Sequence, residues 1–137
     1  MTVLEGRLLV VGEGSGETLV LEEPLSLWGG LDPQTGEIID RRHPQSGAIV
    51  SGRVLVMPMG RGSSSASSVL LEAVRLGTAP AAIVLSELDA ILALGACVAK
   101  ELYDRSLPVL VLSPESHAQL QDRTPAVVEL NGTLRLA

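Results

Sequence analysis

The sequence predicts a single α/β domain over residues 1–137, a mixed sheet with βαβ units in its middle and hairpins at its ends. Three observations predict it. Continuous apolar runs at Val54-Leu55-Val56-Met57, Ala81-Ala82-Ile83-Val84-Leu85 and Val109-Leu110-Val111-Leu112 read as strands covered on both faces, as in a parallel sheet. Between them the apolar spacing turns helical, over about 64–76 and about 89–102. Near the C-terminus, Asn131-Gly132 separates the runs 126–130 and 133–136, a strong short-range hairpin signal.

Taken in order, residues 3–11 and 18–22 predict two strands. Gly12-Glu13-Gly14-Ser15-Gly16 between them reads as a loose hairpin connection. An apolar segment from Pro24 then runs into Gly29-Gly30, an Asp32-Pro33 turn and Gly36. Glu37-Ile38-Ile39-Asp40 predicts a short strand, left by Arg41-Arg42-His43-Pro44. This irregular region has too little periodicity for core, and long loops of its kind are functional or mobile. In it, His43 is held extended or turned by Pro44 and reads as solvated, while Asp32 reads as a turn former.

The first helix carries Ala66, Val69, Leu70, Ala73 and Val74 on one face and ends at Gly77. The second is apolar nearly all round, through Ile91, Leu92, Leu94, Cys97, Val98 and Leu102, and is expected to be buried until Lys100-Glu101 surfaces, with Cys97 as packing. Ser113-Pro114-Glu115 supplies a cap, a first-turn proline and an acid for a short helix ending near Gln121, with His117 on the surface.

The stretch with chemistry in it is Gly60-Arg61-Gly62-Ser63-Ser64-Ser65-Ala66-Ser67-Ser68, between the first parallel strand and its helix. Two glycines allow a sharp turn and close approach of a ligand. The free N–H groups of the helix start point into the same space and favour a carboxylate or phosphate. One of the serines is expected to cap the helix, which is also the ordinary explanation of such a cluster. It is not a Walker A loop, since no Gly-Lys-Ser/Thr follows, and it lacks the third glycine of a dinucleotide fingerprint.

Composition narrows the partners. Aromatics are 1 % of the chain, with one Trp, one Tyr and no Phe, so Leu, Val, Ile and Ala must build the core. A formal charge of −6 argues against nucleic acid or an anionic membrane as the main partner. No run of 18 apolar residues and no basic, signal-like N-terminus occur, so a cytoplasmic protein is expected. Cys97 is the single cysteine; it cannot form an internal disulfide or alone hold zinc or an iron–sulfur cluster.

Four long segments resemble the small, swivelling subunit of aconitase X: Trp28-Gly29-Gly30-Leu31-Asp32-Pro33-Gln34-Thr35-Gly36-Glu37-Ile38-Ile39-Asp40-Arg41-Arg42-His43-Pro44, the Gly60-to-Ser65 turn, Gly77-Thr78-Ala79-Pro80-Ala81-Ala82-Ile83-Val84, and Ala90-Ile91-Leu92-Ala93-Leu94-Gly95-Ala96. The resemblance spans nearly the whole chain. It implies a swivelling β/β/α fold like the mobile domain of aconitase. It also implies a separate or fused large subunit that carries an iron–sulfur cluster and most of the substrate site. Family members dehydrate small hydroxy acids, cis-3-hydroxy-L-proline in many bacterial members and 5-phosphomevalonate in archaeal ones.

The resemblance maps the family's active-site serine onto Ser63, and implies substrate contacts from Arg61, Gly62, Ser64, Ser65, Gly29, Gly30, Asp32 and His43. In aconitase, a Gly-Ser-Ser-Arg turn supplies the serine alkoxide that takes the substrate proton. Here Ser65 stands where that arginine would be, so Arg61, the helix N-terminus or the large subunit must pair the substrate's charge. The string Ser63-Ser64-Ser65-Ala66-Ser67 is more similar to the hydroxyproline-type members than to the archaeal Gly-Ser-Thr-Val-Gly-Ser. A serine is a poor base unless its alkoxide is stabilised, and backbone N–H groups at a helix start do that. The leaving hydroxyl needs a Lewis acid, for which this chain has no ligand constellation, so the chain is expected to be half an active site that binds no metal of its own. The face holding residues 28–32, 43 and 60–65 is the expected docking face. Two other readings stand beside this one. The chain is a non-catalytic module that binds an anion or docks on a partner, or a phosphate-carrier domain, for which His43 beside Pro44 is a poor phosphate acceptor.

Overall fold

Strands β6 (Val54–Val56), β7 (Ala82–Leu85) and β8 (Val109–Val111) lie side by side and parallel, joined through helices α2 (Ala66–Leu76) and α3 (Ala90–Tyr103). The computed structural model that shows this describes residues 2–137. The remaining elements are β1 (Thr2–Glu5), β2 (Arg7–Val10), β3 (Gly14–Val20), the single turn α1 (Leu27–Gly30), β4 (Leu31–Asp32), β5 (Glu37–Ile38), α4 (Pro114–His117), β9 (Pro125–Val128) and β10 (Thr133–Leu136). The main sheet runs β1-β10-β9-β3-β6-β7-β8-β2, and β4 and β5 form a separate two-stranded ribbon.

The mixed α/β architecture of the sequence analysis is what the chain adopts, and its apolar runs explain the layering. Alternate residues of the parallel strands face opposite ways. Leu55, Ile83, Leu85 and Val109 join a core with Leu70 and Val74 of α2 and Leu92 and Ala96 of α3. Val54, Val56, Ala82, Val84 and Leu110 face a second core against Leu4, Val128 and Leu134 of the terminal strands. Gly95 lets the two helices close up, since a Cβ there would stand 2.9 Å from the Ser67 carbonyl oxygen. Gly77 ends α2 in the left-handed conformation, φ 78°, as expected. No helix among the described residues is long and apolar enough to cross a membrane.

Several expectations are corrected. The N-terminal hairpin does not form: β2 pairs antiparallel with β8, while β3 pairs antiparallel with β9 and parallel with β6. Gly14 and Gly16 lie inside β3, where a Cβ would stand 2.1 Å from the Ala81 oxygen and 2.2 Å from the Gly52 oxygen. These glycines serve close backbone approach, not a loop. The C-terminal hairpin does form, with Leu134 opposite Val128.

The irregular region is not outside the core. Leu25, Leu27, Leu31, Ile38 and Val50 are buried, at a spacing that matches neither a helix nor a strand. His43 is buried rather than solvated; its Nε2 lies 3.0 Å from the Glu23 carbonyl and its Nδ1 accepts from the Gln45 N–H. Helix α3 is not covered all round, because Leu94, Cys97 and Leu102 are exposed beside the buried stripe Leu92, Gly95, Ala96 and Ala99. The short helix α4 is capped by Ser113 as expected but stops at His117, whose Nε2 reaches the Met57 carbonyl at 3.0 Å.

Candidate functional site

The parallel strands end at one edge, and the segments that leave β3, β6 and β7 meet there, where ligands bind in open α/β sheets. They enclose a cleft of about 60 Å³ lined by Leu25, Leu27, Gly60 to Ser63, Ala66, Asp89, Ile91 and Leu92. The cluster picked out in the sequence is thus one wall of a concave site.

Each wall is fixed by local chemistry. Leu25 forms a parallel bridge with Gly60, and the Arg61 N–H donates to the Leu25 carbonyl at 3.3 Å. Gly62 has φ +93°, a conformation that disfavours side chains, and a Cβ there would stand 2.6 Å from Ser26 Oγ. The chain that leaves β3 is therefore packed directly on the serine turn. Beyond Ser26, Trp28 (φ −70°, ψ 112°) and Gly29 (φ 80°, ψ −12°) make a type II turn that holds the indole out, 60 % exposed. Met59 and Leu88 are also exposed, and each precedes a residue of the cleft wall.

The serines do not act as the simple cap that was expected. Ser65 occupies the N-cap position of α2 in a helical conformation and makes no side-chain cap bond. Instead Ser63 Oγ accepts from the Ser65 N–H at 3.0 Å, and the Ser63 carbonyl accepts from the Ala66 N–H at 3.0 Å. Ser67 Oγ donates to the Ser64 carbonyl at 2.9 Å. Ser63 and Ser64 are exposed. Among the described residues nothing accepts from the backbone N–H groups of Gly62, Ser63 or Ser64, which leaves a small nest of donors at the cleft mouth. Arg61 is exposed beside them and enters no ion pair among the described residues.

Of the predicted site residues, Arg61, Gly62 and Ser63 line the cleft, and Ser64 and Ser65 continue the turn. Gly29, Gly30, Asp32 and His43 are not among the cleft-lining residues. Gly30 is buried against Leu25, and its carbonyl accepts from the Ile39 N–H. Asp32 turns the β4–β5 ribbon, its Oδ1 accepting from the Gln34 N–H at 2.9 Å. Gly29 forms the turn after Trp28, and the His43 ring bridges the Glu23 carbonyl and the Gln45 N–H. The residue the sequence reading missed is Asp89, whose carboxylate sits in the cleft wall; a single acid before a helix looks like any other N-cap. No group of three or more His, Cys, Asp or Glu side chains converges among the described residues.

Comparison with known proteins brings in the rest. Residues 3–136 match the family described as the aconitase X swivel domain. The chain is 58 % identical over 106 residues, 77 % of its length, to the cis-3-hydroxy-L-proline dehydratase of Pseudomonas aeruginosa, and spans only 18 % of that protein. It is 44 % identical over 93 residues to the phosphomevalonate dehydratase small subunit of Methanothermobacter thermautotrophicus, covering 68 % of this chain and 71 % of that one. In three dimensions it superposes on the crystal structure of Thermococcus kodakaraensis aconitase X in its holo-form with a TM-score of 0.89, at 30 % identity, covering 100 % of this chain and 99 % of the other.

Proposed function

The chain belongs to the aconitase X swivel domain family, and from that premise we propose that residues 1–137 act as the small, swivelling unit of a hydro-lyase that dehydrates a small hydroxy acid. A large subunit with an iron–sulfur cluster completes the site. The substrate we assign is cis-3-hydroxy-L-proline. The observation that carries this is the 58 % identity over 106 residues to a protein named for that dehydration. A second reading, 5-phosphomevalonate, has support in the unpartnered N–H groups of Gly62, Ser63 and Ser64, which suit a phosphate as well as a carboxylate.

Such a dehydration breaks the C–H bond beside the carboxylate and the C–O bond next to it, and forms a double bond between the two carbons. Ser63 is the base for the first of these. Its Oγ already accepts the Ser65 N–H at 3.0 Å, and that donor, backed by the positive end of α2, favours the alkoxide. Arg61, Gly62, Ser64 and Ser65 bind the substrate's anionic group, through the free N–H groups of the turn, the Ser64 and Ser65 hydroxyls and the guanidinium. An iron–sulfur cluster takes three or four thiolates, and one exposed cysteine on α3 does not fit that need. The part of the reaction assigned to this chain therefore involves its own side chains only, and the hydroxyl departs on the large subunit's side. Exposed Trp28, Met59 and Leu88 around the cleft are the apolar anchors of that docking.

The test is co-expression with the large subunit and a dehydration assay on both acids. Turnover of cis-3-hydroxy-L-proline by the complex, and none by the small chain alone, is expected. A complex that leaves both acids unchanged overturns the reading.

A further inference from the structure

Asp89 holds two parts of the molecule with one carboxylate. Its Oδ1 accepts from the Ile91 and Leu92 N–H groups, both at 3.0 Å, and so caps α3. Its Oδ2 accepts from the Gly60 N–H, also at 3.0 Å. A helix cap needs one oxygen; the second is spent on a turn 29 residues away in sequence. The fit is close, since a Cβ on Gly60 would stand 2.8 Å from Oδ2.

Ahead of the turn, the Pro58 carbonyl accepts from the Ser86 and Glu87 N–H groups at 3.0 and 3.1 Å, but from Gly60 onward the only bond to the start of α3 among the described residues is the one to Asp89. The neighbouring tie, from the Arg61 N–H to the Leu25 carbonyl, is long at 3.3 Å. A bond to an ionised acceptor is about twice as strong as a neutral one. We propose that Asp89 is a positioning residue: it pins the Gly60–Gly62 turn to the start of α3 and thereby sets where Ser63 Oγ stands in the cleft. The catalytic part of this rests on the reading of Ser63 as the base.

The test separates the cap from the tie. Asp89→Ser keeps a capping hydroxyl at the start of α3 but has no second oxygen for Gly60. Asp89→Asn keeps the shape with one acceptor only, and guards against a serine variant that fails to fold. In the complex with the large subunit, kcat should fall about tenfold or more in either variant, and by more than KM rises, because the base is displaced while the substrate's contacts with the large subunit remain. In the chain itself, exchange of the Gly60 amide, and of its neighbour Arg61, should quicken roughly tenfold, while Ile91 and Leu92 stay protected in Asp89→Ser. Unchanged turnover, or unchanged exchange at Gly60 and Arg61, overturns the proposal and leaves Asp89 a helix cap. If the wild-type complex dehydrates neither acid, the functional reading has failed instead; faster exchange at Gly60 and Arg61 then still supports the pin, and unchanged exchange refutes it.

Discussion

Two helices packed side by side begin in opposite ways. The start of α3 is sealed: Asp89 takes the Ile91 and Leu92 N–H groups and the Gly60 N–H besides. The start of α2 is left open. Its N-cap, Ser65, makes no cap bond, and the three N–H groups before it, on Gly62, Ser63 and Ser64, have no acceptor among the described residues. Both starts border the same cleft. A sealed start stabilises its own helix; an open one keeps its donors for something else. The difference also dissolves an apparent choice between two roles for Ser63. The N–H that makes it look like a cap is the N–H that would steady its alkoxide, so structural and catalytic readings share one hydrogen bond.

Substitutions can break this contrast or sharpen it. The largest effect is expected from Ser63→Ala. Turnover of the complex should fall at least about a hundredfold with little change in KM, while the chain loses only about 1 kcal/mol of stability in a thermal melt. Turnover near wild type would reduce the open start to an incomplete cap. Gly62→Ala comes next. The left-handed backbone at φ +93° costs a side chain roughly 1–2 kcal/mol, and the new methyl would meet Ser26 Oγ. Melting should drop accordingly, and turnover of the complex by about tenfold as the turn shifts. The smallest effect is expected at a sealed start outside the site. Ser113 Oγ accepts from the Ser116 N–H at 3.2 Å, so Ser113→Ala should cost about 1 kcal/mol in the melt and leave kcat unaltered. A loss of turnover there would show that sealed and open starts do not divide the labour in this way.

How much of this could be read from the chain depended on how local each cause was. The parallel strands and the C-terminal hairpin were legible, because continuous apolar runs and Asn131-Gly132 are local signals. Gly14 and Gly16 were misread because glycine marks both turns and crowded backbones, and the crowding comes from Ala81 and Gly52, far along the chain. Leu25, Leu27, Ile38 and Val50 had no period to reveal them, since they are buried from loop, a single turn and a two-residue strand, each too short to show one. In α3 the reverse happened: Leu94 and Leu102 sit in an apolar sequence yet stay exposed, as composition does not say which face is covered. At the site, the serine turn was visible, whereas the second oxygen of Asp89 has a partner that only the fold supplies.

The pairing of β1 with β10 has a further consequence. Thr2 lies opposite Leu136 in an antiparallel ladder, so residues 2 and 136 stand about 5 Å apart at the edge of the sheet. The cleft lies elsewhere, beyond the ends of the parallel strands. A domain built like this is a cassette. It can be spliced into a longer polypeptide, carried as a free-standing piece, or circularly permuted, and the serine turn need not register which of these has been done to it.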